Sequence, residues 1–252
     1  MQQFAPTGFR ILPPVVKNLL IINGLFFLAT FAMQRSLGID LSDYLGLKYI
    51  ESPNFKPYQF ITYMFMHGSI NHIFFNMFAL WMFGSAIENF WGYKRFLIYY
   101  FVTGIGAGII QMIVYYFSIT QLKSTLSAQE INMVLNEGAS AIAEGKNFVN
   151  ESMRQLNSMI NLSTTVGASG AVFGLLLAFG MLFPNAEIYL YFLFPIKAKW
   201  FVIGYGALEL YMGVSGASDG IAHFAHLGGM IFGIFLILYW RKKDSNRFLN
   251  QY

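Results

Sequence analysis

Long apolar runs separated by short polar segments restrict this chain to folds that span a lipid bilayer. A helix needs about 20 apolar residues to cross the hydrocarbon core. Six stretches are candidates, at about 15–34, 59–89, 94–118, 167–184, 199–215 and 224–240. Only 11% of the 252 residues are charged, against about 25% in soluble proteins. The sequence therefore predicts one all-α membrane domain, residues 1–252, built as a bundle of six transmembrane helices.

Two apolar segments differ from a simple span. The stretch 59–89 is longer than one crossing requires, and we expect its first turns, around Tyr63 to Met66, to be interfacial. The segment from Ile188 to Pro195 is rich in Tyr and Phe but too short to span the core. Because aromatic residues concentrate at the headgroup level, we expect this segment to lie at the membrane interface as well.

The distribution of Lys and Arg predicts the orientation of the helices. If both termini lie inside, ten of the 16 Lys and Arg residues are inside and six lie in two long outer loops. Basic residues are enriched in short cytoplasmic loops, so we expect an N-in and C-in topology. The net charge of +4 is then a feature of topology, and we expect no nucleic-acid partner.

The start of the chain bears on its location. Arg10 and Lys17 precede the first apolar run, and no small-residue cleavage site follows it. We therefore expect a retained span and not a cleaved signal peptide. The short termini and the lack of a transit-like segment predict a multi-pass protein of the cell membrane, in a bacterial inner membrane, with the lipid bilayer as a constant partner.

Two long outer loops connect the spans, at residues 35–58 and 119–166. In the second loop, Ser127 and Glu130 match a capping box, and apolar residues then recur at near-helical spacing. We expect this loop to be partly helical, with one or two amphipathic helices on the outer side. A partly ordered linker is the alternative.

A serine and a histidine stand at the heads of two apolar runs. Ser169 begins the fourth stretch and His226 begins the sixth. Polar side chains inside a bilayer are costly and usually functional, and serine with histidine is the smallest set for nucleophilic catalysis. Taken alone, the serine could instead bond to its own backbone, and the histidine could be interfacial or relay protons.

Small residues follow both positions at helical spacing. Gly170 and Gly174 form one small-residue face, and Gly229 and Gly233 form another. Such faces allow helices to approach closely in membranes. If the two faces pack together, Ser169 and His226 lie at the same outer end of the contact, which favours a catalytic pair.

The second stretch carries a further polar pair. His72 and Asn76 are four residues apart and share a helix face. An imidazole and an amide near a nucleophile are the hydrogen-bond donors that an oxyanion hole needs. The alternative is polar contact between helices, worth about 1 kcal/mol for each group.

These motifs together resemble the rhomboid family of intramembrane serine proteases. The matches are His72-x-x-x-Asn76, Gly167-x-Ser169-Gly170, and His226 with the glycines that follow it. The order of the spans also agrees with a minimal six-helix, rhomboid-like bundle, although the long outer loop between helices 3 and 4 exceeds the family minimum. The resemblance covers roughly residues 15–240.

The resemblance implies a serine endopeptidase that cleaves transmembrane protein substrates in or near their membrane segments. It implies that Ser169 is the nucleophile and His226 the general base, in a dyad without an acidic third member. It places His72, Asn76 and the backbone N–H of Ser169 at the oxyanion, with Gly167 beside the nucleophile. The active site would face the outside.

Two residues carry further implications of the resemblance, and the flexibility of one segment suggests a cap over the site. Phe173 stands where many family members have tyrosine, so a ring can still pack on the histidine but a phenolic hydrogen bond is lost. Glu88 resembles a structural acid at the inner end of the second span. The glycine-rich connection before the last span, through Gly220, is a candidate cap over the site.

Other ionisable residues in the apolar stretches are ambiguous. We expect Glu209, near the outer end of the fifth stretch, to reach water, and a functional role is the alternative. His223 is the rival candidate for the general base, and the role of His67 stays open. The chain has no cysteine, which excludes thiolate catalysis and cysteine zinc sites, and we expect neither a cofactor nor a metal.

Two other functions stay open. The first is a rhomboid relative without protease activity that binds membrane helices, although such relatives typically lack the serine or the histidine. The second is a small transporter with a proton relay through His72, His226 and Glu209. Transporters often show repeated halves, and we find no internal repeat.

Overall fold

The computed structural model describes residues 8–190, 193–216 and 221–249. In chain order the elements are α1 (Pro14–Leu37), α2 (Ser42–Leu45), α3 (Gln59–Thr62), α4 (Ile70–Ala79), α5 (Ser85–Trp91), α6 (Tyr93–Lys123), α7 (Ala128–Ala143), α8 (Glu151–Asn157), α9 (Ser169–Leu182), β1 (Glu187–Leu190), β2 (Phe194–Lys197), α10 (Ala198–Ser215) and α11 (His223–Leu249). A 3₁₀ turn follows α3, and π-helical turns join α4 to α5 and extend α8.

Within the described residues, four helices are long and apolar enough to cross a membrane. They are Pro14–Leu37, Ile70–Trp91, Tyr93–Lys123 and His223–Ser245. Helix α9 is apolar but has only 14 residues, and the 18-residue helix α10 includes Lys199 and Glu209. The protein is therefore a mostly helical, multi-pass membrane protein, while the count of six spans and their orientation stay predictions.

The predicted second span, at about 59–89, is broken near its start. Met66 is extended, and the Oγ of Ser69 accepts a hydrogen bond of 3.1 Å from the backbone N–H of His72. Serine is a favoured residue just before a helix because its oxygen satisfies one of the free N–H groups there. The long helix therefore begins at Ile70, and His72 and Asn76 lie in its first two turns.

The prediction of an all-α fold was wrong for one segment. β1 pairs with β2 in an antiparallel hairpin in which Ile188 lies opposite Ile196. The segment is too short for a span, and its β-branched and aromatic residues favour strand structure. Pro195 is tolerated because both strands of a two-stranded sheet are edge strands.

Helices α6, α9 and α11 pack at the centre with glycines at their contacts. A Cβ on Gly229 would overlap the carbonyl group of Gly170, so the backbones of α11 and α9 touch there. Gly174 instead packs on Thr103 of α6, and Gly233 also faces α6. The expected packing of the two glycine faces is therefore right for Gly170 and Gly229 and wrong for Gly174. It is right in part for Gly233, where a Cβ would also lie 3.2 Å from the Cδ2 of Leu177 in α9.

Glu88 joins the second span to the start of α1. Its two carboxylate oxygens accept hydrogen bonds of 3.0 and 2.8 Å from the backbone N–H groups of Val15 and Val16. The first N–H groups of a helix have no acceptor within the helix, and a negative charge is favourable there. Because Glu88 is buried, this contact holds α1 against the bundle.

Polar contacts at the far ends of the helices define the end of the bundle opposite Ser169. The guanidinium of Arg95, at the start of α6, donates two hydrogen bonds of 2.9 and 2.7 Å to Asp244 near the end of α11. Arg241 donates to the carbonyl oxygen of Met181 at the end of α9. This basic end is the one predicted to lie inside.

The long loop 119–166, which we predict to lie outside, contains α7 and α8. Ser127 and Glu130 form both hydrogen bonds of a capping box at the start of α7. Buried Val134, Leu156 and Ile160 pack in one cluster with residues of the first outer loop and of α6. These helices therefore rest on the protein itself.

We predict that Glu88→Gln lowers the free energy of unfolding by about 1–3 kcal/mol, because the amide keeps one acceptor and sets an N–H against a second buried donor. Thermal unfolding in detergent micelles measures this change. Glu137→Gln, on the exposed face of α7, is the control. Equal stability of the two variants would contradict the anchoring role.

We predict that Gly229→Ala lowers the free energy of unfolding by about 1–3 kcal/mol, because the added methyl group forces α11 away from α9. Gly204→Ala in α10 is the control, since a Cβ there meets nothing within 4 Å. The control should be as stable as the unaltered protein in the same unfolding measurement. If Gly229→Ala is as stable as Gly204→Ala, the close backbone contact between α11 and α9 is refuted.

Candidate active site

Ser169 and His226 meet at one end of the contact between α9 and α11. Ser169 is the first residue of α9 and His226 lies in the first turn of α11. The Oγ of Ser169 is 2.9 Å from the Nε2 of His226. The histidine is buried and the serine is half-buried. A hydroxyl hydrogen-bonded to an imidazole is the arrangement in which a histidine can activate a nucleophile.

The segment that leads into Ser169 is held by backbone hydrogen bonds from two other parts of the chain. Leu47, in the first outer loop, exchanges two backbone hydrogen bonds of 2.9 Å with Thr165. The N–H of Gly167 donates to the carbonyl oxygen of Tyr63 at 2.9 Å. Ser169 therefore follows a segment that is fixed on both sides, and its position does not depend on α9 alone.

Gly167 has a backbone conformation and surroundings that favour glycine. Its φ is +123°, a value that residues with a side chain rarely adopt. A Cβ there would lie 2.7 Å from the Nε2 of His72 and 3.6 Å from the Oγ of Ser169. The absence of a side chain at Gly167 thus lets the imidazole of His72 approach the serine.

Asn76 is buried one turn further along the same helix as His72. Its Nδ2 donates a hydrogen bond of 3.0 Å to the carbonyl oxygen of His72. This bond lies within α4 and corresponds to the alternative in which the amide only satisfies its own helix. The same nitrogen carries a second N–H, so the bond leaves one donor of the amide for an oxyanion.

His67 is a buried residue to which the sequence assigned no role. Its ring lies 5.0 Å from the ring of His72, edge to face. Neither ring nitrogen has a hydrogen-bond partner among the described residues. Buried polar groups without a partner are rare in folded proteins, and this one packs against His72.

Phe173 fixes one face of the His226 ring. The two rings are parallel to within 7° and their centroids are 4.1 Å apart. Tyr205 of α10 packs against the same phenyl ring at 5.0 Å. An aromatic ring therefore packs on the histidine although this position lacks the tyrosine hydroxyl.

Glu209 lies at the site and does not reach water, so the expectation for this residue was wrong. The side chain is buried, and its Oε2 is 2.9 Å from the Nδ1 of His226 and 2.7 Å from the Nδ1 of His223. The sequence signal was present but weak, because Glu209 is an acid near the predicted outer end of the fifth apolar stretch, at the depth expected for His226. The rotation of α10 that turns it inward is not encoded in that spacing.

The same three residues form the one metal-type donor set found among the described residues. Donor atoms of Glu209, His223 and His226 lie within 4.8 Å of one another. Two ligands of a tetrahedral zinc ion are about 3.4 Å apart at ordinary bond lengths. The nitrogen–oxygen distances of 2.7 and 2.9 Å are those of direct hydrogen bonds. In this structure, protons and not a metal ion therefore join the two histidines to Glu209.

The candidate cap is described only in part. Helix α10 ends at Ser215, and Gly216 follows with a φ of +69°. Gly220 and the rest of residues 217–220 lie outside the described residues, and the expected cap therefore stays a prediction.

Comparison with known proteins gives one matching family. The family model of the Rhomboid domain matches residues 54–243. The match includes Ser169, His226 and the segment that carries His72, and it begins after α1.

Several relatives carry rhomboid names. Rhomboid-like protein 11, chloroplastic, of Arabidopsis thaliana is 26% identical over 242 residues, which cover 85% of this chain and 64% of that protein. RHOMBOID-like protein 12, mitochondrial, from the same plant is 30% identical over 187 residues, or 71% and 46% of the two chains. Rhomboid protease GlpG of Klebsiella pneumoniae subsp. pneumoniae is 28% identical over 88 residues, or 34% and 32%.

These relatives limit the conclusions about the activity of the whole protein and about its location. The chain matches less than two thirds of the length of both plant proteins. Their names place them in chloroplasts and mitochondria, and a yeast relative is also mitochondrial. The comparison therefore supports a multi-pass membrane protein and does not support the expected bacterial inner membrane.

We predict that Gly167→Ala lowers the free energy of unfolding by about 1–3 kcal/mol, because a side chain is strained at this φ and collides with His72. Gly68→Ala, in the same part of the fold, is the control, since a Cβ there meets nothing within 4 Å. Thermal unfolding in detergent compares them. An alanine at 167 that is as stable as the alanine at 68 would contradict the tight approach of His72.

Proposed function

Because the chain belongs to the rhomboid family, we propose that it is an intramembrane serine endopeptidase that hydrolyses peptide bonds in or near the transmembrane segments of membrane proteins. The observation that carries the proposal is the 2.9 Å contact between the Oγ of Ser169 and the Nε2 of His226. A bacterial relative that is named a protease adds support. The proposed site is Ser169 and His226, with His72, Asn76 and Gly167 around them.

Proton transfer between the two residues drives both halves of the proposed reaction. The Oγ of Ser169 attacks the substrate carbonyl carbon while the Nε2 of His226 takes the hydroxyl proton. His226 then gives this proton to the leaving amine, and the peptide bond breaks to give an acyl-enzyme. Water repeats the sequence on the ester, which releases the acid and restores Ser169.

The oxyanion that forms in each half needs hydrogen-bond donors near Ser169. We assign this role to the imidazole of His72, the backbone N–H of Ser169 and the amide of Asn76. His72 is supported most directly, because a Cβ built on Gly167 would lie 2.7 Å from its Nε2 and 3.6 Å from the Oγ of Ser169. Removing one donor of this type commonly costs about 100- to 1000-fold in rate.

Water must reach a serine that lies below the membrane surface. The 14 residues of α9 span about 21 Å, whereas the hydrocarbon core is about 30 Å thick. If α9 ends at the inner edge of the core, Ser169 lies roughly 9 Å below the outer edge. The half-buried state of Ser169 and His72 fits a polar site that opens toward the outer end of the bundle.

The substrate follows from the place of this site. A peptide bond inside a helix is closed to attack by its neighbours, so a membrane helix must unwind locally before Ser169 can reach it. We propose transmembrane proteins as substrates, six spans in an N-in and C-in orientation, and an active site that faces the outside. The cluster of basic residues at the end of the bundle opposite Ser169 supports this orientation.

We predict that Ser169→Ala and His226→Ala each lower cleavage of a single-span model substrate by at least about 1000-fold, because each removes one member of a unit that acts together. Purified protein in lipid vesicles and gel analysis of the products measure the rate. Ser36→Ala is the matched control, since this serine is exposed near the end of α1 and its Oγ donates to the carbonyl of Ala32.

Two outcomes would contradict the proposal. Undiminished cleavage by either variant would remove the residue from the reaction. Binding of the substrate by the unaltered protein without any cleavage would favour the alternative function, in which the protein binds membrane helices but does not cleave them.

A further inference from the structure

Glu209 is a buried acid whose only described hydrogen bonds join it to two histidines. It lies in α10 and is 5% exposed. Its Oε2 contacts the Nδ1 of His226 and the Nδ1 of His223. A carboxylate inside a membrane protein is costly and usually functional. Glu209 contacts the same His226 ring that contacts Ser169, which points to a chemical role.

The contact with Glu209 determines which nitrogen of His226 carries the proton. An ionised carboxylate has acceptors only, and a neutral imidazole has one N–H and one free lone pair. A hydrogen bond to Oε2 therefore places the proton on Nδ1 and leaves the lone pair on Nε2. Nε2 is the atom 2.9 Å from the Oγ of Ser169, so the ring is in the form that accepts the serine proton.

The same contact stabilises the charge that develops during the reaction. When the Oγ proton moves to Nε2, His226 becomes an imidazolium with its Nδ1–H still directed at Glu209. A fixed negative charge at this distance stabilises the cation strongly in a medium of low dielectric constant. The proton later leaves from Nε2 to the amine, and Glu209 itself takes up no proton.

Neighbouring groups fix the orientation of the His226 ring and the position of the Glu209 carboxylate. Phe173 stacks on one face of the His226 ring, which sets its plane, and Glu209 sets its rotation within that plane. His223 contacts the same Oε2 at 2.7 Å, which holds the carboxylate in place. The ring thus has one orientation in which Nε2 faces the serine.

We propose that Glu209 is a positioning residue for His226, so that this chain works with a Ser169–His226–Glu209 triad in place of the dyad that the family resemblance implies. This inference rests on the proposed peptidase function. Glu209 acts through His226 and has no contact with the substrate.

Steady-state cleavage by Glu209→Gln tests the role of the carboxylate. The amide has nearly the same volume, but its N–H₂ group can donate to Nδ1 and so favour the proton on Nε2, the wrong nitrogen. We expect kcat to fall by at least about 100-fold, while KM stays within about threefold. Glu209→Asp keeps the carboxylate and should restore part of the lost kcat.

A double variant separates positioning from a general structural role. If Glu209 acts only through His226, then adding Glu209→Gln to His226→Ala causes no further loss of residual cleavage. A structural role would lower the residual rate again.

Glu88→Gln is the matched control for this substitution. Glu88 is also a buried glutamate that accepts two hydrogen bonds, but from the backbone of α1 at the opposite end of the bundle. Its substitution should lower the unfolding temperature without changing kcat of the folded protein. If Glu209→Gln does not fold, then Glu209→Asp decides, with an expected loss in kcat of about 10-fold and an unchanged KM.

The outcomes distinguish this inference from the function on which it rests. Ser169-dependent cleavage with full kcat in both Glu209 variants would overturn the triad and leave the peptidase standing. Cleavage that is absent or independent of Ser169 would overturn both. Activity that is lost on dialysis against a chelator and restored by Zn²⁺ would assign the Glu209 cluster to a metal and would also overturn the triad.

Discussion

The backbone of α11 touches the backbone of α9 where Gly229 meets Gly170, and the geometry of the candidate site depends on this contact. Helices that carry side chains at their interface lie about 8–10 Å apart. The two glycines allow a closer approach, and the Oγ of Ser169 and the Nε2 of His226 are then 2.9 Å apart.

The surrounding apolar body makes the polar groups of the site depend on one another. Ser169, His226, His223 and Glu209 satisfy each other in a continuous chain of hydrogen bonds, because the described helices around them offer mainly apolar side chains. A buried polar network rigidifies a protein when every member is paired and destabilises it when one is missing. The arrangement that satisfies these buried polar groups also orients His226 as the proposed reaction requires, so Glu209 would serve both stability and catalysis.

The sequence predicts the helices and part of the site. Apolar length predicts where most helices lie, and small residues at helical spacing predict that Ser169 and His226 begin two helices that pack together. The sequence does not predict the start of the second long helix at Ile70, because the cap supplied by Ser69 is a single local hydrogen bond within an apolar run. It does not predict the role of Glu209 either, because the rotation of α10 about its axis depends on packing across the whole bundle.

We propose that Ser169 is an activated nucleophile within the bilayer. Reaction of the protein in lipid vesicles with a fluorophosphonate, followed by mass spectrometry of its peptides, tests this most directly. Activated serines react with such reagents far faster than ordinary hydroxyl groups because a neighbouring base removes the proton. We predict a single adduct on Ser169 that disappears in His226→Ala. An adduct on another serine, or an unmodified Ser169 under conditions that label a known serine hydrolase, would contradict it.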